Sequence, residues 1–277
     1  MAAVDIRPMS TDDAELALDW AAAEGWNPGR HDAATFLAAD PDGFLVGEVG
    51  GEPVAVIACV RYGGAFGFVG LYIVRRERRG EGLGMELWRA GHERLGDRTV
   101  GLDAVDAQVA NYERSGYVAA GRTYRYRCER GGPPAGGPGE IAPVGHEDVA
   151  ELDARAFPGA RDAFLRAWLA QPEGRALGLR RDGELAGYGV LRRCREGRKV
   201  GPLFAVDVAA AELLLDALVA GLEEPFTLDV PRDNRAATEL AERRGMEPVF
   251  RTSRMYRGDP PGHESDLVFG VTSLELG

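Results

Sequence analysis

Arg79, Gly80, Gly82 and Gly84 spell RGEGLG directly after the apolar run FGFVGLYIV (Phe66 to Val74) and directly before the amphipathic stretch MELWRAGHERLG (Met85 to Gly96). Glycine lacks the Cβ that would keep a ligand off the backbone, and the first amides of a helix have no intrahelical partner. A strand, a glycine turn and a helix in that order therefore build a cradle for an anion, and a pyrophosphate fits it. The glycine spacing alone is a weak signal, and its placement between strand and helix gives it weight.

Other chemistries lack their residues. No GxSxG, HExxH or GxxxxGK[ST] sequence occurs, and no basic helix suits nucleic acid. Cys59, Cys128 and Cys194 are scattered, odd in number and outside any CxxC pair, which argues against a disulfide framework and against a zinc site; Cys59 and Cys194 read as buried small hydrophobes. The net charge of −11 disfavours a phosphate-backbone partner, and is explained either by solubility or by a cationic substrate. No apolar run approaches 18 residues, and MAAVDIRPMSTDD has neither the basic start nor the apolar core of a signal peptide. The expectation is a cytoplasmic protein with no membrane span.

The cradle needs elements to hold it. With 277 residues the chain is long enough for two domains, and residues 131–139, GGPPAGGPG, form a linker of Gly, Pro and Ala only. Before it, the pattern reads strand (Asp5 to Met9), helix capped by Ser10 or Thr11, helix (His31 to Ala39), then three strands turning at Gly50-Gly51 and Gly63-Gly64. The glycine turn, a helix, the strand TVGLDAV, the helix AQVANYERSG and the strand YVAAGRTYRYR follow. After the linker the order repeats, with a hairpin at Asp182-Gly183, the strand KVGPLFAV, the helix VAAAELLLDALVAGL, and FTLDV, RAATELAERRG and EPVFRTSRMYR at the end. YERSGYV (112–118) aligns with AERRGMEPV (241–249), which indicates an internal duplication. Domains at 1–130 and 140–277 result, each a mixed α/β fold with a mostly antiparallel sheet flanked by helices.

Val74 to Gly84 (VRRERRGEGLG), then Tyr112 ahead of Gly116-Tyr117, resemble the signature of the GNAT acyltransferases, a strand followed by V-x-P-x-x-R-G-x-G-x-G and a later tyrosine. Arg76 stands at the usual proline, and the Asn-x-x-Ala that often precedes the tyrosine is missing. The second half, with GPLFA (201–205), LDVPRDN (228–234), RMY (254–256) and SLELG, looks like the GNAT-like C-terminal domain of a tandem, YitH-like branch.

The resemblance implies an N-acetyltransferase that moves an acetyl group from acetyl-CoA to a primary amine of a small molecule, without a metal. By position, Ile73 and Val74 would pair with pantetheine, Arg79, Gly80, Gly82, Leu83 and Gly84 would hold the pyrophosphate, and the amide of Val74 would face the oxyanion. Tyr112 stands where the family places the proton donor to the departing thiolate. Glu24, in AEGWNPG, is the first choice for general base, because partial burial raises a carboxyl pKa; Trp26 and Asn27 would shape the acceptor pocket, and Tyr72 could act through a water. His31 and His92 are alternatives that read better as structural, and Asp103 and Asp106 either attract a cationic amine or cap the next helix. At 206–212, VDVAAAE offers no glycine nest, and Ala241 stands opposite Tyr112. The second domain thus reads as a degenerate GNAT fold kept for packing, for shaping the acceptor pocket or for forming a homodimer. Asp229, Asp233, Asn234, Arg235 and Tyr256 are polar candidates there, with Asp233-Asn234 equally explained as a helix cap, and the arginines around 192–199 read as a solvated hairpin tip. A non-catalytic acyl-CoA sensor and a protein N-acetyltransferase remain the competing readings.

Overall fold

The computed structural model describes residues 4–133 and 136–277; Pro134 and Ala135 of the linker lie outside the described residues, as do residues 1–3. The first repeat runs β1 (Asp5–Pro8), α1 (Thr11–Ala23), α2 (Asp32–Leu37), β2 (Phe44–Val49), β3 (Glu52–Tyr62), β4 (Phe66–Val74), α3 (Leu83–Leu95), β5 (Thr99–Ala104), α4 (Val109–Arg114) and β6 (Val118–Cys128). The second repeats it: β7 (Glu140–Pro143), α5 (His146–Ala156), α6 (Asp162–Leu169), β8 (Arg175–Arg181), β9 (Glu184–Arg193), β10 (Arg198–Ala205), α7 (Val208–Val219), β11 (Phe226–Pro231), α8 (Arg235–Arg243) and β12 (Glu247–Arg257), with β13 (Val268–Gly270) added. Ser10 caps α1 in a reciprocal capping box with Asp13, as Ser-x-x-Asp before an apolar run leads one to expect.

Among the described residues all strands join one sheet, in the order β1-β2-β3-β4-β5-β12-β6-β11-β10-β9-β8-β7, with β13 beside β10. Only β4–β5 and β10–β11 are parallel. The duplication is visible element by element, but the repeats are not closed units. The last strand of each lies on the other's side: β12 pairs with β5 from Val100 to Ala104, and β6 pairs with β11 from Phe226 to Pro231. The linker divides the repeats along the chain, whereas in space each lends its final strand across the middle of the sheet.

Two ion pairs hold that exchange. LDAV at 102–105 has its counterpart in LDVP at 228–231, and RTYR at 122–125 in RTSR at 251–254. Asp103 on β5 accepts from Nε and Nη2 of Arg254 on β12 at 3.0 and 2.7 Å. Asp229 on β11 accepts from Arg125 on β6 at 2.7 and 2.8 Å. All four are near the middle of the sheet, and the two-point geometry compensates the loss of hydration that burial imposes.

A second tie runs through the hairpin β9–β10. Arg192 and Asp32 are both fully buried and bonded, Nε to Oδ1 at 3.1 Å, and the guanidinium lies 4.5 Å from the ring centre of Trp168, which stacks on Phe36 at 6.2 Å. Lys199 is buried as well and donates to the carbonyl of Asn27. This corrects the reading of a solvated turn for Arg192 and Lys199, which face inward against the first repeat; an alternating strand hides which charges point in. Arg193 and Arg198 share Glu224 of their own repeat, and Arg195 is exposed. Cys59 and Cys194 are buried, as their apolar surroundings indicate.

Candidate active site

The site begins where two parallel strands part. β4 pairs with β5 from Phe66–Thr99 to Val69–Leu102, and residues 70–74 then continue without a β5 partner. On the other side, the register with β3 passes from Ala58–Gly70 to Val56–Ile73, so Leu71 and Tyr72 face Ile57 alone. This is a β-bulge, and Leu71 takes φ +46°, a strained value for a branched residue. Beyond it, the amide of Arg75 donates to Val54 on β3. Amides alternate along a strand, so those of Tyr72 and Val74 turn into the gap while that of Ile73 turns to β3. Ile73, expected to pair through its backbone, is thus turned away from the gap, and the amides left without a β5 partner are those of Tyr72 and Val74.

The RGEGLG turn closes one end of the gap. Gly80 and Gly82 have φ of +87° and +83°, which glycine alone adopts without strain, and Gly82 is the N-cap of α3 with no side chain on its amides. A Cβ on Gly84 would meet the Tyr72 hydroxyl and a Val74 methyl at 2.7 Å, so this glycine lets the helix end settle onto β4. The free amides of Leu83 and Gly84 point into a cleft of about 760 Å³ lined also by Arg78, Arg79, Tyr72 and Tyr112. Glu81 turns away from it and is held by Arg78 at 2.9 Å, which lowers its pKa. The residues fit a pyrophosphate.

Glu24 does not reach the far side of the gap. Its Oε1 accepts from Nη2 of Arg79 at 2.8 Å and from Nε of Arg76 at 3.0 Å. Burial pushes its pKa up, but the bonds from Arg79 and Arg76 outweigh that and leave it below the ordinary value. A carboxylate held down by two guanidinium groups is a poor base, and the role assigned to Glu24 is withdrawn on that ground. Arg76, where the family has proline, is one of its two partners.

Tyr112, on α4, lies between two spaces. One is the cleft of the glycine turn, and the other is a cavity of about 80 Å³ on the opposite face of the gap, whose walls include Trp26, Tyr72, Tyr112 and Gln108. Tyr72, Gln108 and Tyr112 line both. Tyr72 and Tyr112 flank Trp88, at 5.3 and 5.5 Å between ring centres, and neither hydroxyl has a hydrogen bond among the described residues. Burial raises both phenols, that of Tyr72 to about 12, so both are protonated at neutral pH. Asn27 misses the cavity: its side chain bonds the backbone of Glu196, tying the loop to the β9–β10 hairpin. Its assignment to the acceptor pocket is corrected accordingly.

His92 is structural, with Nε2 at 2.8 Å from the Tyr117 hydroxyl, and His31 meets Glu173 at the surface. Asp103 lines the cavity but is committed to Arg254, and Asp106 is bonded to Arg251. Asn234 is the N-cap of α8, and Asp229 is the partner of Arg125. Four walls of the cavity, Phe250 and Thr252 from β12 with Leu274 and Glu275 from the terminal segment, come from the second repeat. Periodicity identifies β12 as a strand but not its neighbour, so sequence reasoning could not bring these residues here; the repeated RTxR and LDxx segments were the available signal.

The second repeat has lost the same site twice over. Its β10 and β11 part after Val200–Leu228, but β13 enters the gap, pairing with β10 at Leu203–Gly270 and Phe204–Val268, and Val271 donates to Asp229. At the start of α7, Asp207 caps the amide of Ala210 with its own carboxylate at 2.7 Å. An anion already occupies the helix end, and a strand already occupies the gap.

Residues 11–117 match the family model described as Acetyltransferase (GNAT) family, and residues 149–270 one described as Acetyltransferase (GNAT) domain. The chain is 30% identical over 278 residues to the holothin acyltransferase of Pseudoalteromonas sp. (strain SANK 73390), covering 98% of this chain and 94% of that protein. It is 27% identical over 189 residues to the uncharacterized N-acetyltransferase YitH of Bacillus subtilis (strain 168), covering 65% and 66%. Among solved structures, a putative acetyltransferase from Pyrococcus horikoshii superposes with a TM-score of 0.82 at 25% identity, covering 99% and 96% of the two chains. A tandem GNAT protein of the clavulanic acid biosynthesis pathway superposes at 0.63 with 18% identity, covering 93% and 100%, a likeness of fold. The parted strands with their glycine turn, the second repeat of the same fold and these relatives together place the chain in the GNAT family of acyltransferases, as a tandem member.

Proposed function

We propose that the protein transfers an acetyl group from acetyl-CoA to a primary amine of a small molecule, with Tyr112 as the acid. The observation that carries this reading is the position of Tyr112, whose unbonded phenol faces both the cleft of the glycine turn and the cavity across the gap. An acyl donor anchored by its pyrophosphate at residues 79–84, and extended along the unpaired edge of β4, presents its thioester near that phenol. Backbone amides of Tyr72 and Val74 offer such a chain the pairing that β5 has ceased to provide.

An acyl donor in that position meets three groups of this chain. Of the two amides free in the gap, that of Val74, beside the glycine turn, pairs with the chain, and that of Tyr72, farther from the turn, takes the negative charge that grows on the carbonyl oxygen as the amine nitrogen attacks. As the carbon–sulfur bond breaks, Tyr112 gives its proton to the departing sulfur; its raised pKa keeps that proton available. Trp88, itself packed on Tyr72, holds the Tyr112 ring in place. The narrowness of the cavity and its cover by the second repeat favour a small acceptor over a folded protein surface.

Thiol release from acetyl-CoA across a panel of amines tests the reading. Turnover with at least one amine is expected, and Tyr112→Phe should lower kcat on the order of 100-fold while leaving CoA affinity within about twofold. CoA binding without turnover on any amine would instead favour the sensor reading, and loss of CoA binding in Tyr112→Phe would remove its role as acid.

A further inference from the structure

Three charged side chains line the cavity across the gap, and two of them are already neutralised. Asp103 is bonded at two points by Arg254, and Arg125 at two points by Asp229. The third is Glu275. It is 4% exposed, no arginine or lysine bonds it among the described residues, and its one side-chain partner is the Ser273 hydroxyl, which donates to Oε2 at 2.8 Å. Glu275 is thus the one charged group of the cavity without an ion-pair bond of its own; Arg125 and Arg192 act on it through space, and the apolar surfaces of Trp26, Phe250 and Leu274 enclose it.

Its place is fixed by Gly70, the first residue of β4 beyond the pairing with β5. A Cβ on Gly70 would lie 1.9 Å from the carbonyl oxygen of Glu275 and 3.0 Å from its Cα. The terminal segment therefore crosses β4 where the strands part, at the mouth of the gap that Tyr112 faces. The Tyr62 hydroxyl donates to the carbonyl of Leu276 at 2.9 Å and holds the segment down. A buried carboxylate that accepts one hydrogen bond and has no cation bonded to it keeps acceptor capacity, which an incoming ammonium group can fill.

Building on the acyltransferase reading, we propose that Glu275 binds the ammonium group of the acceptor and takes its proton, and that the acceptor is an amine on an apolar body. The ammonium N–H gives its proton to the Glu275 carboxylate, and the freed lone pair forms the carbon–nitrogen bond. The carbon–sulfur bond breaks, and the sulfur takes the proton of Tyr112. The nitrogen then sheds its second proton, which restores the phenol, and Glu275 releases the first to solvent. The products are the amide, the thiol and one proton.

The test uses the full-length protein, acetyl-CoA, and tryptamine, phenethylamine, spermidine and glucosamine as acceptors, with kcat/KM measured from pH 6 to 10. Glu275→Gln should lower kcat/KM on the order of 100-fold at pH 7, and the deficit should shrink toward pH 10 as the amine loses its own proton. Acetyl-CoA affinity by calorimetry should not change. Ser273→Ala, which removes the hydrogen bond to the carboxylate, should move the acid limb of the wild-type profile to higher pH, and it supplies the test where the glutamine variant does not fold. A Glu275→Gln enzyme that matches the wild type at every pH, or loses the same factor at every pH, overturns the assignment while leaving the acyltransferase reading intact. An unmoved acid limb in Ser273→Ala overturns it as well. A wild type that prefers spermidine or glucosamine to the aromatic amines overturns the acceptor class, and one that acetylates no amine overturns the parent reading and with it this one.

Discussion

Arg254→Met isolates the exchange of strands from everything else in the molecule. Methionine keeps much of the length and apolar stem of arginine but leaves the carboxylate of Asp103, whose side chain is fully shielded, with Thr252 Oγ1 at 3.4 Å as its remaining side-chain neighbour. Stripping one partner from a buried ion pair costs about 3–5 kcal/mol, because the other charge stays behind without water. Arg254 also lies 5.1 Å from the ring centre of Phe68, a contact worth about 1 kcal/mol that methionine replaces in part. The expected loss is therefore about 4 kcal/mol, or roughly 10 °C in Tm at about 2–4 °C per kcal/mol for a chain of this size class. Urea unfolding followed by circular dichroism measures it. The double variant Asp103→Leu/Arg254→Met should recover most of the loss, since a buried pair replaced by apolar side chains is near neutral. Because β12 stands between β5 and β6, the variant should shift a single transition shared by both repeats. A loss below about 1 kcal/mol, a double variant as weak as the sum of the singles, or two separate transitions with one unmoved would each refute the reasoning.

Gly82→Val forces a branched residue to φ +83° at the N-cap of α3 and sets its side chain among the amides of the nest; CoA affinity by calorimetry should fall at least tenfold, and the strain should cost about 1–3 kcal/mol of stability. His92 is held neutral, mainly by burial, with its pKa lowered to about 4 from an ordinary 6.5. The unfolded chain then binds the proton more readily than the folded one, so the contribution is fully present above pH 6.5 and is lost as the pH falls toward 4. Its size is on the order of 2 kcal/mol after allowance for its partial exposure, and His92→Phe should flatten that part of the stability curve. An unchanged curve in the variant would assign the slope to other groups.

What was legible in the sequence is what depends on local order. RGEGLG between an apolar run and an amphipathic run fixes a strand, a nest and a helix from neighbours a few residues apart, and the Gly/Pro linker marks the boundary of the repeats just as directly. Partner choice between distant strands leaves no such trace. RTYRYR and RTSRMYR alternate like any edge strand with one wet face, yet at the centre of the sheet Arg125 is buried and Arg254 half-buried, each bonded to an aspartate in the other repeat. Glu24 fails for a related reason: proximity to the acceptor pocket was inferred from its helix, while Arg76 and Arg79 from the glycine turn claim its carboxylate. Only the 192–199 charges read as a solvated turn; complementary pairs across the duplication, Asp103 with Arg254 and Asp229 with Arg125, are the sequence trace of the middle of the sheet.

The same pairing explains how two similar repeats came to carry one site. Exchange of β6 and β12 is symmetric and gives each gap a wall from the other repeat, so by itself it would favour two equivalent cavities. The segment after β12 breaks the symmetry. Its β13 fills the gap between β10 and β11, and the same segment then runs on to Gly70, where Leu274 and Glu275 complete the cavity of the first repeat. Closing one gap and furnishing the other are thus consequences of a single path of the backbone. Substitutions in residues 271–277 can alter that cavity's wall without touching the nest or Tyr112, whereas substitutions in β13 that free the second gap would still leave a helix end that Asp207 has already capped.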